Sequence, residues 1–338
     1  MPIISLNQES QLSPEKEEEL SLENNLRPKL FDEFIGQEML KRNLQILISG
    51  AKKRSEPVEH ILLHGSPGLG KTTLSNLIAR EMNANLKITS GPAIEKTGDI
   101  ASILTNLEEG DVLFIDEIHR LRKPIEEMLF SAMEDFAIDL VMGKGAGAKS
   151  MRLNLPPFTL IGATTRLGAL SAPLRDRFGF IYRMEFYTDQ DIQKICHRNS
   201  DILDIKIEKN ASELLAKCAR KTPRIANNLL KRLRDFAQHE DKDIVSLKIA
   251  QKAFMYLGID EIGLTDSDRS FLTAIIEKFK GGPVGLTTLA ACLSEEKETI
   301  EETIEPYLIQ SGLIEKSPRG RIATLKAYKH LNLNGYAF

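Results

Sequence analysis

The sequence predicts an α/β fold in which a large domain built on a parallel sheet is followed by a small helical domain and a C-terminal winged-helix domain. Three observations predict this order. Apolar runs typical of buried strands occur at residues 61–64, 111–115 and 158–163, with helical patterns between them. Residues 189–257 place apolar residues at helical intervals only. The last segment contains three short helical patterns and then two short strands around a Pro-Arg-Gly turn.

These patterns divide the chain into four segments. Residues 1–24 are polar and acidic, which is typical of a mobile tail. We expect the large domain at 25–187, the small helical domain at 188–258 and the winged helix at 261–338. A helix is expected near the start of the large domain. Its inward face is predicted to consist of Leu40, Leu44, Ile46 and Leu47.

The composition excludes several classes of protein. A net charge of only -3 means that any nucleic-acid binding must come from a local basic patch. Cys196, Cys218 and Cys292 lie far apart without a C-x-x-C pair, which favours a reducing compartment and argues against a zinc site. No apolar run is long enough to span a membrane, and the N-terminus lacks the blocks of a signal peptide. We therefore expect a cytoplasmic protein with no membrane contact.

A phosphate-binding loop is predicted at residues 65–72, which match the pattern G-x-x-x-x-G-K-[ST]. Its three glycines allow a tight turn whose N–H groups point inward at the start of a helix predicted at 73–82. Lys71 is expected to reach the β- and γ-phosphates of ATP, and the Thr72 hydroxyl to bind Mg²⁺. Because a strand precedes the loop and a helix follows it, a chance glycine-rich turn is the weaker alternative.

The second motif is a run typical of a buried strand at residues 111–117, which ends in Asp116 and Glu117. A parallel strand delivers its carboxyl end to the crevice where a nucleotide lies, so Asp116 is expected near Mg²⁺ and Glu117 near the attacking water. The alternative is an acidic helix start that closes an ordinary strand. At the end of the next strand, Thr164 and Thr165 are both candidates to sense the γ-phosphate.

Two arginine-bearing turns follow. Residues 174–178 place Arg175 and Arg177 on either side of Asp176, where an arginine either neutralises transition-state charge or forms a solvated salt bridge. Spacing alone favours the salt bridge. Arg224 lies near a helix start, which is unfavourable for a cation because of the helix dipole. A bound phosphate would remove that conflict, and a surface carboxylate would do so less specifically.

Two hairpins are also predicted. Alternating runs at 138–142 and 151–155 flank a glycine-rich tip, and their apolar residues either extend the core or form a surface for a partner. The C-terminal hairpin lies in a segment from 312 to 330 that is rich in basic residues. They are Lys316, Arg319, Arg321, Lys326 and Lys329. Such a wing suits DNA phosphate contacts, and the alternative is a solvated loop tip.

Together these motifs resemble the RuvB family of AAA+ ATPases, the bacterial motors of Holliday-junction branch migration. The resemblance spans about residue 25 to the C-terminus, and the combination is more specific than any one motif. It implies an AAA+ P-loop NTPase domain, a helical lid and a winged-helix head. The matching segments are 26–29, 35–37, 65–73, 116–121, 162–166, 174–179, 222–224 and 318–321.

The resemblance also implies roles for individual residues, with ATP and Mg²⁺ as ligands. The catalytic residues would be Lys71, Asp116, Glu117 and Arg175. Of these, Arg175 would be an arginine finger that reaches the active site of a neighbouring subunit. Mg²⁺ would be held by Thr72 and Asp116. Nucleotide contacts would come from Leu26, Arg27, Gly68, Gly70, Lys71, Thr72, Thr73, Glu134, Asp135, Phe136, Arg177, Tyr187 and Arg224. DNA contacts would come from Lys316, Arg319 and Arg321.

The partners implied are duplex DNA, the Holliday junction, RuvA at the hairpin 139–155, RuvC, and further copies of the chain in a homohexameric ring. The chain departs from the family pattern at Ser66, Phe34 and Lys316, where a second proline, a tyrosine and an arginine are usual. Two alternatives remain. A nucleotide-switched DNA-binding protein predicts little stimulation of hydrolysis by DNA. A clamp-loader-like protein or an unfoldase, which acts on protein, predicts activity that is indifferent to DNA.

Overall fold

The computed structural model describes residues 25–142 and 149–333. The predicted acidic tail, the tip of the first hairpin and the last five residues lie outside the described residues. The contacts divide the chain into two compact units. The first extends to Gly65 and resumes at Leu69–Glu185, and the second contains Ser66–Gly68 and the chain from Phe186 onward.

The first unit is built on a sheet of five strands, which are parallel, as predicted. Its strands and those of the hairpin are β1 (Ile61–His64), β2 (Leu86–Ser90), β3 (Val112–Asp116), β4 (Ala137–Met142), β5 (Lys149–Asn154), β6 (Thr159–Thr164) and β7 (Phe180–Arg183). The sheet order is β2-β3-β6-β1-β7, so β6 lies between β1 and β3. Because all five strands are parallel, their carboxyl ends meet at one edge.

Helices and short turns connect the strands. The helices are α1 (Glu38–Arg54), α2 (Lys71–Glu81), α3 (Thr97–Thr105), α4 (Lys123–Glu134) and α5 (Ala172–Arg175). Turns of 3₁₀ helix lie at Phe31–Glu33, Gly91–Ala93, Ile118–Arg120 and Leu167–Ala169. The prediction that Ile46 faces inward was wrong, since its side chain is 62% exposed. The helical repeat of 3.6 residues carries the buried stripe of α1 through Leu40, Leu44, Ile48 and Ala51 instead.

The core of the first unit lies on the two faces of this sheet. Strands β1, β3 and β6 are apolar along most of their length because both faces are covered. Gly162 on β6 leaves room for its neighbours, since a Cβ there would lie 3.0 Å from Ile118 Cδ1 and 3.1 Å from Leu62 Cδ1. Buried partners from the strands and helices include Leu62, Leu113, Ile115, Leu160, Ile100, Leu104 and Leu129.

The first predicted hairpin is confirmed. Strands β4 and β5 pair antiparallel from Ala137 opposite Asn154 to Met142 opposite Lys149. At the base of the hairpin, Ile138 is fully buried in the core and Leu153 packs against it. Farther out, Met151 is an exposed apolar side chain. The base of the hairpin therefore belongs to the core.

The second unit begins with a helical domain. Its helices are α6 (Asp189–Ile202), α7 (Lys209–Cys218), α8 (Pro223–His239) and α9 (Leu247–Tyr256). Two short strands, β8 (Lys206–Ile207) and β9 (Ile244–Val245), pair in parallel between the helices. The expectation of a purely helical pattern was wrong in this detail. The connections α6–α7 and α8–α9 run side by side, so their backbone groups bond to each other.

The winged helix follows in the same unit. Its elements are α10 (Asp266–Thr273), α11 (Leu286–Leu293), α12 (Lys297–Thr299), α13 (Glu305–Gln310), β10 (Ile314–Ser317), β11 (Gly320–Ala323) and α14 (Leu325–His330). Wider π-helical turns extend α10 over Ala274–Lys278 and link α12 to α13 over Ile300–Ile304. Strands β10 and β11 form the antiparallel wing, and Arg321 also bridges to Val284. The predicted order of helices and wing is confirmed.

The three cysteines are free thiols in different surroundings. Cys196 and Cys218 are buried in the helical domain, and burial raises the pKa of each to about 12. Cys292 lies half-buried on α11, where Lys278 Nζ donates to its Sγ at 3.3 Å. None of the helices within 25–142 or 149–333 is long and apolar enough to cross a membrane.

Candidate nucleotide and DNA sites

The glycine-rich loop leaves the carboxyl end of β1. The Gly65 N–H donates to Thr164 O at 3.1 Å, which fixes the start of the loop to the neighbouring strand β6. Gly65 has a φ of 147°, and a Cβ there would lie 2.8 Å from Met184 O, so the position requires glycine. Gly70, with a φ of 101°, immediately precedes α2. The loop therefore ends at a helix N-terminus, where the N–H groups of the first turn and the helix dipole favour an anion.

Lys71 is held over this loop. Its side chain is only 8% exposed, and Nζ donates to Gly65 O at 2.8 Å. The first turn of α2 is fixed by bonds from Ser75 Oγ and Asn76 Nδ2 to Thr72 O, both at 2.8 Å. Thr72 and Thr73 are half-buried at the same helix start. A buried ammonium and a helix N-terminus together suit an oxyanion such as a phosphate.

Asp116 and Glu117 lie at the same edge, at the end of β3. The Glu117 N–H donates to Asp116 Oδ1 at 2.9 Å, and Glu117 has a φ of 48° in the left-handed region. Such a backbone costs about 1–2 kcal/mol for a residue other than glycine. Glu117 Oε2 lies 3.2 Å from Arg120 Nη1 in a partly exposed ion pair. Arg120 was not predicted as a site residue, although its i,i+3 spacing from Glu117 could have indicated the contact.

Of the two candidate threonines, Thr164 is buried and Thr165 is half-buried. Thr164 Oγ1 shares a hydrogen bond with His119 Nδ1 at 3.0 Å and accepts one from the Arg166 N–H at 2.9 Å. His119 belongs to the turn that follows Glu117. The end of β6 is therefore hydrogen-bonded to the segment after the two carboxylates, a connection that sequence spacing could not reveal.

The end of α4 places three predicted residues in different surroundings. Glu134 is exposed. Asp135 Oδ2 accepts from Arg152 Nη2 at 2.7 Å, which links the helix end to the hairpin strand β5. The ring of Phe136 packs edge-on against Phe158 with 5.9 Å between ring centroids. Asp135 and Phe136 thus hold the base of the hairpin, a role that the sequence did not indicate.

The two arginines around Asp176 differ in their contacts. Arg177 Nη2 donates to Glu134 Oε2 at 2.8 Å, and its Cζ lies 4.6 Å from the centre of the Phe130 ring. Arg175 ends α5 with its side chain 37% exposed, and its Nε is 4.0 Å from Asp176 Oδ1. An exposed pair at this distance contributes little. Arg177 is therefore fixed within its own chain, whereas the Arg175 guanidinium remains accessible.

Other predicted nucleotide residues lie in the second unit. The Arg224 N–H donates to Gly68 O at 3.4 Å, and a Cβ on Gly68 would lie 2.8 Å from Thr222 Cγ2. Tyr187 is buried, and its N–H donates to Lys221 O at 3.0 Å. Gly68 and Arg224, far apart in sequence, are therefore in contact, and Tyr187 bonds to the segment that precedes Arg224.

In the first unit, Leu26 is buried and Arg27 is exposed.

In the first unit, His64 ends β1 immediately before the phosphate loop. Burial, and then the positive charge of Arg183, lower the pKa of His64 below its usual 6.5. The imidazole is therefore neutral near pH 7. The Lys71 ammonium, which donates to Gly65 O, is a positive side-chain charge at the start of the phosphate loop.

The wing separates its three predicted DNA residues. Lys316 and Arg319 are exposed, but Arg321 is only 7% exposed, so the basic residues of the wing do not all lie on its surface. Its Nε donates to the buried carboxylate of Glu305, and its Nη2 lies 3.8 Å from Glu301 Oε1. Lys316 Nζ lies 3.7 Å from the other oxygen of Glu305. The number of basic residues in the wing could not reveal the burial of Arg321, because its partner Glu305 lies 16 residues earlier in the chain.

Sequence models of known families match three consecutive parts of the chain. The Holliday junction DNA helicase RuvB P-loop domain matches residues 26–184, the RuvB AAA lid domain 187–260, and the RuvB C-terminal winged helix domain 261–332. The chain belongs to the RuvB family. Membership confirms the resemblance and the predicted fold class, and it makes the chain an AAA+ ATPase, with which the complete phosphate loop agrees.

Solved RuvB structures from Thermotoga maritima are similar along almost their whole length. One, described as a Holliday junction branch migration motor, is 50% identical and has a TM-score of 0.84, covering 92% of this chain and 99% of its own. A variant of the same RuvB is 50% identical with a TM-score of 0.85, covering 91% and 99%. The similarity therefore includes the P-loop, lid and winged-helix domains together.

Replacing Arg321 with alanine tests the buried network of the wing. We expect Arg321→Ala to lower the free energy of unfolding by about 3–5 kcal/mol, because it leaves Glu305 buried without its main partner. Arg319→Ala, at the exposed tip, is the matched control and should change it by less than about 0.5 kcal/mol. Urea unfolding followed by circular dichroism measures both. Equally small changes would contradict the structural role of Arg321.

Proposed function

We propose that this protein is an ATP-driven motor that pumps duplex DNA and drives branch migration of Holliday junctions. The observation that supports this best is the combination in one chain of a phosphate loop, Asp116 and Glu117 at one sheet edge, and a winged helix with an exposed basic tip. The Thermotoga maritima motor, 50% identical over 92% of this chain, supports the same activity.

The proposed substrate is ATP bound with Mg²⁺, and the site suits both. The positive φ angles of Gly65, Gly68 and Gly70 and the buried ammonium of Lys71 fit a polyphosphate. We assign Mg²⁺ to Thr72 and Asp116; when bound, it neutralises charge on the phosphates. The proposed nucleotide contacts are Leu26, Arg27, Gly68, Gly70, Lys71, Thr72, Thr73, Glu134, Asp135, Phe136, Arg177, Tyr187 and Arg224. The contact of Gly68 with Arg224 and the pair of Glu134 with Arg177 support this set.

Glu117 is the proposed general base that orients and polarises the attacking water. Its Oε2 lies 3.2 Å from Arg120 Nη1, so this oxygen faces a cation and not a water molecule. For a water to take the place of Arg120 at this oxygen, the pair must open. Because both side chains are partly exposed, opening it costs at most about 1 kcal/mol. The Glu117–Arg120 pair thus permits a resting and an active position of the base.

We propose that Arg175 acts on a neighbouring subunit in a homohexameric ring on DNA. A site that contains Lys71, Asp116 and Glu117 still benefits from one more positive charge in the transition state. The accessible guanidinium of Arg175, whose Nε lies 4.0 Å from Asp176 Oδ1, suits a role outside its own chain. Head-to-tail packing of subunits in a ring would supply this geometry.

The proposed partners are RuvA, through the hairpin 139–155, and the resolvase RuvC, in DNA recombination and repair in the cytoplasm. The exposed Met151 on β5 is the kind of apolar side chain that suits a protein contact at the hairpin. At the wing, we assign phosphate contacts to Lys316 and Arg319. Arg321 supports them by holding the wing in place through Glu305.

Movement of a synthetic four-way junction with ATP, measured with and without RuvA, is the direct test. The motor should separate the junction into its branch-migration products only when ATP is hydrolysed. A nucleotide-switched DNA-binding protein would bind the junction without moving strands. A clamp-loader-like protein or an unfoldase would hydrolyse ATP at a rate indifferent to the junction. Either result would replace the proposed function.

Substitution of the two catalytic residues should separate binding from cleavage. Lys71→Ala is expected to abolish hydrolysis and weaken ATP binding, because lysine contacts both ground state and transition state. Glu117→Gln should keep ATP bound while hydrolysis falls by about 10² to 10⁴-fold, since only the water loses its base. Fluorescent-nucleotide binding and phosphate release measure these effects. Hydrolysis by Glu117→Gln at the wild-type rate would show that Glu117 is not the base.

Neutralising the wing should weaken DNA binding without regard to sequence. We expect the double variant Lys316→Ala, Arg319→Ala to flatten the dependence of log affinity on log salt by about 0.9 for each lost phosphate contact. ATP binding without DNA should be unchanged. Fluorescence anisotropy with two duplexes of unrelated sequence gives the slopes, and slopes equal to those of the wild type would argue against phosphate contacts.

Mixing two inactive variants tests the action of Arg175 in trans. Lys71→Ala retains its arginine, and Arg175→Ala retains its phosphate loop. In mixed rings, some interfaces combine an intact loop with an intact arginine, so ATPase activity should reappear. Hydrolysis is measured as a function of the mixing ratio. If mixed oligomers form and activity stays absent, Arg175 serves its own subunit or only the pair with Asp176.

A further inference from the structure

A segment of six residues in the second unit, 219–224, contacts three other parts of that unit. At its end, the Arg224 N–H donates to Gly68 O at 3.4 Å on the phosphate loop. In its middle, Lys221 O accepts from the Tyr187 N–H at 3.0 Å, at the start of the helical domain. At its beginning, the Arg220 side chain enters the winged-helix domain. We call residues 219–224 the connecting segment.

Arg220 holds the winged helix through three contacts. It is only 8% exposed, and Nε donates to Gly263 O at 2.7 Å. Its two terminal nitrogens face the two oxygens of Asp268, with Nη1 3.4 Å from Oδ1 and Nη2 bonded to Oδ2. Cζ lies 5.4 Å from the centre of the Tyr307 ring. A bidentate pair and a ring contact fix the direction of the guanidinium as well as its distance.

The partners of Arg220 are themselves fixed. Asp268 is buried at the start of α10, where it also accepts from Thr265 N–H at 2.7 Å and Oγ1 at 2.6 Å. The Tyr307 hydroxyl donates to Ile262 O at 2.5 Å, and burial raises its pKa to about 12, so the phenol keeps its proton. A shift of Arg220 therefore displaces α10 and the loop before it together.

The backbone of the connecting segment has little freedom. Arg220 and Lys221 have φ angles of 51° and 55°, two successive left-handed conformations in residues other than glycine. Such strain persists only where the surroundings fix it. Thr222 is buried, and its Oγ1 donates to Arg220 O at 3.0 Å, which closes the turn between the two arginines. The contacts of Arg224 and Arg220 are thus joined by a short, constrained stretch of chain.

We propose that Arg220 is a positioning residue that couples nucleotide binding at the phosphate loop to the winged-helix domain. A nucleotide that holds Gly68 and Arg224 in place also limits the movement of the connecting segment. The segment in turn determines the position of the Arg220 side chain, and Arg220 determines the position of the loop before α10. The inference rests on the ATP binding proposed above and not on branch migration. It differs from a purely stabilising role, in which Arg220 would strengthen the winged-helix contact equally with and without nucleotide.

Amide hydrogen exchange of the full-length chain distinguishes the two roles. Three amides next to the contact bond to fixed carboxylates: Ile262 and Leu264 to Asp260, and Thr265 to Asp268. In the wild type, saturating ATPγS should slow amide exchange by about 5-fold or more in the peptide that contains these three amides. A factor of about 5 is the lower end of the coupling that is typical between two sites. In Arg220→Ala, ATPγS should still bind, and exchange there should be the same with and without it.

A matched control and a second variant keep the test decisive. Lys252→Ala removes an ion pair with Glu240 that lies within the helical domain, and should leave the nucleotide effect unchanged. If Arg220→Ala fails to fold, Arg220→Lys and Asp268→Asn take its place, since each retains most of the volume but loses the bidentate pair. The ratio of ATPase rates with and without duplex DNA should fall by about 5-fold or more in these variants.

The possible outcomes separate this inference from the proposed function. Equal slowing in the wild type and in the Arg220 and Asp268 variants would overturn the coupling and leave a stabilising role. ATPγS binding without slowing in the wild type would also overturn it. Failure of the wild type to bind ATPγS would overturn the proposed function and the coupling together. In the last outcome, ATPγS slows amide exchange only when Arg220 is present, but the wild type does not move Holliday junctions. That result would support the coupling and refute the motor.

Discussion

The parallel pairing of β6 with both β1 and β3 is the constraint on which the rest of the first unit depends. Thr164, at the end of β6, accepts from the Gly65 N–H with its carbonyl and contacts His119 with its hydroxyl. One strand end therefore bonds to the loop on one side and to the turn after Asp116 and Glu117 on the other. Two motifs about 50 residues apart in the chain become neighbours because backbone hydrogen bonds fix the register of the strands.

Three of the ion pairs among the described residues differ in burial in a way that suits two tasks. Arg220 with Asp268 and Arg321 with Glu305 are buried, and removing one partner of such a pair typically costs about 3–5 kcal/mol. Glu117 with Arg120 is partly exposed, and pairs of that kind contribute about 0–1 kcal/mol. The buried pairs hold the winged helix together and to its neighbour. The exposed pair can open and close at little cost, which suits the role of general base that we propose for Glu117.

The sequence predicted features that depend on local pattern and missed those that depend on distant partners. The strand, loop and helix around Lys71 follow from apolar spacing and glycines, and the structure confirms them. The burial of Arg321 on strand β11 could not be predicted, since it depends on Glu305, which lies on helix α13. The contact of Arg220 with Asp268 spans 48 residues and leaves no periodic signal. The assigned roles of individual residues at the nucleotide and DNA sites stay predictions.

The surroundings of the three cysteines make the winged helix unusually easy to observe in solution. With pKa values near 12, the thiols of Cys196 and Cys218 are almost entirely protonated at pH 8, and burial also keeps reagents away from them. Cys292 is half-buried on α11. A maleimide dye or spin label should therefore attach at that one position in the unaltered chain. The protein thus has a natural attachment point for a spectroscopic reporter on the domain that we propose grips DNA.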